Sequence, residues 1–169
     1  ALNAISLQKI SNAHQLVSLL TSLTNATSPL KQLLNIIDKN TSSIQDNQIL
    51  VAHHFKKLNA YTDNLSSKAT YAQTLAAFKQ LKTYLNNIEQ SNDKQQQYFK
   101  AAQDVMRNDP KNPIIKLTMI ADNAPQPVQR WLQTIIKGTW SLMIQNTAQY
   151  INNAWMVQVN TEYDDNIKH

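Results

Sequence analysis

Apolar residues recur every three or four positions along most of the chain, which is the spacing of amphipathic helices. The pattern predicts helices at about 2–24, 29–40, 48–60, 69–90, 93–107, 113–121 and 127–160. Short polar stretches separate them, and no repeat with a fixed period of 20–50 residues is present. We therefore expect an all-α fold: an irregular bundle of six or seven helices with a long C-terminal helix.

Prolines mark three points at which helices restart. Ser28-Pro29 and Asn112-Pro113 each place a capping residue before a proline at the first helical position. Pro127 opens the last and longest helix, after the polar break that begins at Asp122. These restarts fit one helical domain over residues 1–169, with a candidate sub-boundary near 109–127.

The last predicted helix holds all three tryptophans and one long apolar stripe. The stripe comprises Val128, Trp131, Leu132, Ile135, Thr139, Leu142, Met143, Ile151 and Trp155. We expect Trp131 and Trp155 to share this face and Trp140 to lie opposite Trp131. Two roles stay open for the tryptophans: core packing against two different neighbours, or a partner anchor, since exposed tryptophan is a common hot spot. The helix before the 113–121 segment is expected to bury Tyr98, Phe99, Ala102, Val105 and Met106.

Composition excludes several classes of protein. The single glycine, Gly138, rules out glycine-rich phosphate loops, and the lack of cysteine rules out thiol catalysis, disulfides and cysteine-ligated metals. The net charge of +5 is spread over the chain with only two arginines, so we expect no nucleic-acid partner. No apolar run reaches 18 residues, so we expect this chain not to insert in a membrane.

Candidate chemistry is sparse. Adjacent His53 and His54 would point about 100° apart on a helix, so they do not readily chelate one ion. The acidic residues are mostly isolated, and the one doublet, Asp164-Asp165, follows the last predicted helix. We expect no catalytic residue, metal site or cofactor. Two alternatives remain: a periplasmic peptidoglycan-associated enzyme, which needs paired carboxylates or a metal cleft, and a basic helical module that binds nucleic acid or anionic lipid.

An ordered series of short motifs points to a family. The pattern P-x-P-V-x-x-W-L, then W, then N-x-x-W-x-x-x-V, is met at Pro125, Pro127, Val128, Trp131, Leu132, Trp140, Asn152, Trp155 and Val159. Segments 28–34, 51–55 and 71–85 precede it in the matching order. The chain thereby resembles the IcmF family of large inner-membrane proteins in bacterial secretion machines, which includes TssM of type VI secretion and IcmF of the type IVB Dot/Icm system.

The resemblance implies a helical part of the periplasmic region, excised from a larger membrane-anchored protein and used as a scaffold. The implied partners are a DotU/TssL-type inner-membrane protein, bound through the parent protein, other periplasmic components and neighbouring copies. Nucleotide binding does not carry over, because the P-loop residues are absent here. Lipoprotein contact belongs to a β-rich region that follows in the family and is not expected of this chain. The Asn, Lys and Ile bias favours the Dot/Icm member over the type VI one.

Overall fold

Five helices make up most of the part of the protein that the structure describes. The computed structural model describes residues 12–25, 28, 32, 56–58, 60–63 and 68–167. The helices are α1 (Ala13–Thr24), α2 (Tyr71–Glu89), α3 (Lys94–Met106), α4 (Pro113–Asn123) and α5 (Gln126–Ile167), and residues 56–58 and 60–62 are also helical. No strand occurs within these ranges, so the all-α prediction with a long C-terminal helix is confirmed. Residues 2–11 of the first predicted helix, the predicted helix at 29–40 apart from Gln32, and residues 48–55 of the next one lie outside the described residues.

The helices begin where polar side chains can satisfy free backbone N–H groups. Thr70 caps α2 in a reciprocal capping box with Gln73. The backbone N–H of Gln73 donates to Thr70 Oγ1 at 3.2 Å, and the backbone N–H of Thr70 donates to the Gln73 side-chain oxygen Oε1 at 3.0 Å. Asp93 caps α3 by accepting from the Gln96 backbone N–H at 3.1 Å. At α4 the Ile114 amide donates to Asn112 Oδ1 at 2.9 Å, with Pro113 in the first turn, as predicted.

A left-handed residue turns the chain from α3 into α4. Asn108 has φ 55°, a conformation that asparagine tolerates better than most residues. Its N–H donates to the Val105 carbonyl at 2.9 Å, and the Asp109 N–H donates to the Asp104 carbonyl at 3.0 Å. These two bonds are those of a Schellman motif, which satisfies the last carbonyls of the helix. α3 and α4 are thus joined by a short turn that is held by backbone hydrogen bonds.

The core lies between the helices that the periodicity predicted. α1 packs on α2, α2 packs on α4, and both α3 and α4 pack on α5. The fully buried large side chains include Leu16, Leu20, Leu23, Phe78, Leu81, Leu85, Tyr98, Leu117, Leu132, Ile135 and Met143. Each such side chain contributes roughly 1.5–3 kcal/mol relative to an exposed position. Met106 was predicted on the buried face of α3, and this is wrong, because it lies 77% exposed in the last turn.

The last helix is longer than its apolar pattern. The prediction ended it at about residue 160, but α5 continues to Ile167 and has 42 residues, a length of about 63 Å. Beyond Val159 the helix continues through mostly polar residues, and Asn166 Nδ2 donates to the Glu162 carbonyl at 2.7 Å. Within the described residues, no helix is both long enough and apolar enough to span a membrane.

Candidate interaction surface

The first half of α5 forms part of the core. Its buried residues are Val128, Trp131, Leu132, Ile135, Thr139, Leu142 and Met143. The Trp131 ring meets Phe78 of α2 edge to face, with ring centroids 5.3 Å apart and an interplanar angle of 85°. The indole Nε1 of Trp131 is buried and has no hydrogen-bond partner within the described residues. Trp131 is therefore held by packing. Of the two roles left open for the tryptophans, core packing applies to this residue.

The predicted motif residues do not form one site. Pro125, Pro127, Val128, Trp131 and Leu132 all lie at the start of α5 or just before it. Trp140 is partly buried and packs against the core. Trp155 lies about 36 Å along the helix from Trp131 and is 64% exposed. The motif thus separates into a structural part and an exposed part.

The second half of α5 carries an exposed apolar stripe. We define the α5 stripe as Ile144, Ile151, Trp155, Met156, Val159 and Tyr163. These side chains are 43–64% exposed, and their spacing of mostly three, four or seven residues places them on one half of the helix circumference. Contiguous exposed apolar surface of this kind is typical of interaction sites.

Ile151 and Trp155 of the stripe lie on the side of α5 that faces away from the core. Met156 and Tyr163, in contrast, lie within about 60° of the direction of Leu142 and are exposed because they extend past the body. Leu142 is buried and Ile151 is exposed, and the nine residues between them make two and a half turns, which places the two on opposite sides. The prediction that Ile151 and Trp155 continue the core face is therefore wrong. Counting turns from Leu142 could have found this from the sequence. The sequence prediction followed a single stripe of this helix, and Ile144 lies outside that stripe.

Contact with α3 ends before α5 does. Phe99 stacks on Tyr150, with ring centroids 5.2 Å apart and an interplanar angle of 27°. Gln95 Oε1 accepts from Asn153 Nδ2 at 3.1 Å, close to the first turn of α3. All residues from 151 to 167 are exposed. The last four turns of α5 therefore extend about 20 Å past this contact.

Charge is distributed unevenly along α5. No charged residue occurs between Lys137 and Glu162, and then Glu162, Asp164 and Asp165 follow closely. Residues 1–161 carry 15 basic and eight acidic side chains, a net charge of +7, whereas residues 162–169 carry one basic and three acidic side chains, a net charge of −2. The stripe is thus uncharged and ends in an acidic segment.

Of the open grooves on the described body, two contain several polar side chains. The larger, about 550 Å³, runs between α2 and the α3–α4 connection and contains Tyr84, whose hydroxyl accepts from Asn112 Nδ2 at 3.5 Å. Burial raises the pKa of Tyr84, and the nearby Asp104 raises it further. The other groove, about 460 Å³, lies where α1 and α3 begin beside α5 and is lined in part by His14, Lys94 and Gln145. Neither combination of residues forms a recognisable catalytic arrangement.

Histidine and carboxylate side chains are the candidate metal ligands and acid–base groups of this chain. His14 is exposed on α1, whereas His53, His54 and His169 lie outside the described residues. An ion pair joins Lys94 Nζ and Glu89 Oε2 at 3.7 Å on the surface. In the part of the chain that the structure describes, no group of three or more His, Asp or Glu side chains could hold a metal ion. Asp164 and Asp165 belong to the helical end of α5.

Comparisons with protein-family models, curated proteins and solved structures give no match. The resemblance to the IcmF family therefore stays a prediction from the motif residues. The surface with the clearest functional geometry is the α5 stripe, because it is apolar, exposed and carried on a rigid element.

Proposed function

We propose that this chain is a non-catalytic scaffold domain in the periplasmic part of an IcmF/TssM-type inner-membrane protein, where it stabilises an envelope-spanning secretion complex. The observation that carries the proposal is the α5 stripe. A helix that exposes Trp155 and Tyr163 beyond the body of the domain offers a binding surface for another protein.

The chemistry of the stripe favours a protein partner. Aromatic side chains provide much of the binding energy at protein interfaces when they become buried. The stripe has no lysine or arginine, so it offers nothing that would attract a nucleic-acid backbone or an anionic lipid headgroup. A basic binding module would have the opposite composition at its contact surface.

The secretion-system assignment rests on the ordered motifs. The motif residues that are buried, Trp131 and Leu132, hold α5 on the body, and the exposed motif residue, Trp155, lies in the stripe. One motif would thus contain residues that hold the fold together and a residue that contacts a partner protein. Its partners are periplasmic components of the complex and other copies, with the DotU/TssL-type protein bound elsewhere in the parent. The Dot/Icm system is the favoured setting.

The test is a pair of serine substitutions in the parent protein, in cells that use the secretion system. We expect Trp155→Ser with Val159→Ser to reduce secretion of a reporter effector at least tenfold, because the stripe loses its aromatic anchor and a central aliphatic contact. The parent protein should keep its normal amount in the membrane fraction.

Val157→Ser is the matched control. Val157 is 66% exposed but lies nearly opposite Trp155 and Val159 around the helix. We expect this variant to secrete normally. Normal secretion by the double variant would contradict the proposed function, as would equal losses in the control.

A further inference from the structure

We propose that the α5 stripe binds the same stripe of a second copy of this chain, with the two helices antiparallel. The inference deepens the proposed function, on which it rests for the role of the surface in an assembly. In such a twofold contact each residue i meets residue j of the other copy, and residue j meets residue i. The stripe extends from Ile144 to Tyr163, so the twofold axis would pass near residues 153 and 154.

The area of the stripe suits a dimer. Aromatic side chains bury roughly 150–250 Å² each and aliphatic ones less, so the six stripe side chains at 43–64% exposure offer at most on the order of 700 Å² per copy. Complete burial in both copies would remove about 1,400 Å² from water, which is in the lower part of the roughly 1,200–2,000 Å² of specific interfaces. The stripe therefore has the size of a small specific interface.

The absence of charge removes the usual obstacle to self-association. Two identical surfaces bring identical charges together, which disfavours pairing. From residue 138 to residue 161 the chain has no charged side chain, and the polar positions there are mainly Asn, Gln and Thr. Amides donate and accept hydrogen bonds at once, so the polar rim of one copy can pair with the identical rim of another.

Charge at the ends of the stripe sets the direction. A parallel pair would place Glu162, Asp164 and Asp165 of both copies side by side, and the repulsion would oppose it. An antiparallel pair about residues 153 and 154 places Glu162 of one copy at the level of Gln145 of the other. Gln145 lines the groove that also contains Lys94 and Glu89, which form an ion pair with each other at 3.7 Å. The antiparallel arrangement thus keeps the two acidic ends apart and places each of them on a body whose net charge is positive.

The first experiment is sedimentation velocity of the full chain from about 1 to 500 µM. We expect a monomer–dimer equilibrium with a Kd in the micromolar range. Val159→Ser should raise the Kd at least tenfold, and Val157→Ser, the matched control on the other side of α5, should change it less than twofold. Far-ultraviolet circular dichroism confirms that both variants stay folded. A monomer at every concentration would overturn the proposal, and so would equal losses in the two variants.

The second experiment tests the direction by disulfide formation. The chain has no cysteine, so single cysteines report one contact each. Asn152→Cys lies near the proposed axis and should form disulfide-linked dimers on mild oxidation. Asn166→Cys lies about 19 Å from the axis along the helix, so two copies would be too far apart to link. Efficient linking through Asn166→Cys would show a parallel pair and overturn the antiparallel arrangement.

The outcomes separate this inference from the proposed function. A purified chain that stays monomeric, in cells where the stripe variants abolish secretion, would reject the second copy as the occupant and leave the scaffold role standing. A dimer that forms through the stripe, in cells where the stripe variants secrete normally, would support the pairing and reject the secretion role.

Discussion

Replacing Trp131 with alanine will lower the free energy of unfolding by about 3–5 kcal/mol, whereas the same change at Trp155 will alter it by less than about 0.5 kcal/mol. The two residues are the same type on the same helix. Trp131 is 5% exposed and packs edge to face on Phe78, so truncation leaves a cavity between α2 and α5. Trp155 lies on the outer side of α5, so its truncation leaves no cavity.

The measurement is urea unfolding followed by circular dichroism, at a protein concentration low enough for the chain to be monomeric. Trp131→Phe refines it, because phenylalanine keeps the aromatic contact and removes a buried indole N–H that has no partner in the described part of the chain. We expect this variant to lose less than half as much stability as Trp131→Ala. Similar losses for Trp131→Ala and Trp155→Ala would contradict the division of α5 into a core face and an outer face.

Raising the pH above 10 will destabilise the protein steeply through two buried tyrosines. The Tyr61 hydroxyl donates to Thr74 Oγ1 and the Tyr98 hydroxyl donates to Glu89 Oε1, both at 2.8 Å. Burial raises the pKa of both hydroxyls well above 10, and the Glu89 carboxylate raises that of Tyr98 further. The unfolded chain therefore releases these protons first. The contribution of these two tyrosines to the free energy of unfolding is fully present below pH 10 and decreases as the pH rises. For each tyrosine, the folding equilibrium constant falls by roughly tenfold per pH unit.

Unfolding curves between pH 8 and pH 11.5 measure this effect. Tyr61→Phe with Tyr98→Phe should lower the free energy of unfolding by about 1 kcal/mol per lost hydrogen bond at pH 8. The double variant should also release about two fewer protons on unfolding at alkaline pH, so its free energy of unfolding should fall less steeply with pH. Tyr163→Phe is the matched control, because Tyr163 is exposed on α5 and should leave the slope unchanged. A double variant with the slope of the unchanged protein would show that these hydroxyls do not govern the alkaline transition.

Local sequence predicted the helices better than it predicted their surroundings. The Asn112 cap and the apolar faces of α1 and α2 depend on residues within a few positions of one another, so spacing was enough to find them. Met106 and the end of α5 were predicted incorrectly for a different reason. Periodicity places a residue on a stripe, but it does not say whether another helix covers that stripe.

The tryptophans illustrate the same limit at the candidate surface. The sequence left core packing and partner binding open for them, and in the structure the packing of α2 and α3 covers Trp131 but not Trp155. Contact between Phe99 and Tyr150 shows where the body ends along α5. That end point depends on the length of α3 and on its direction relative to α5, neither of which spacing within one helix encodes.

Site-specific photocrosslinking along α5 in cells tests the central claim that this helix has a core face and a partner face. A photoreactive amino acid replaces, one at a time, Ile151, Trp155, Val157, Val159 and Thr161 of the intact protein. We expect crosslinks to a second copy or to a component of the same assembly from residues 151, 155 and 159, and none from 157 and 161. Crosslinks of equal strength from all five positions, or from 157 and 161 alone, would contradict the account.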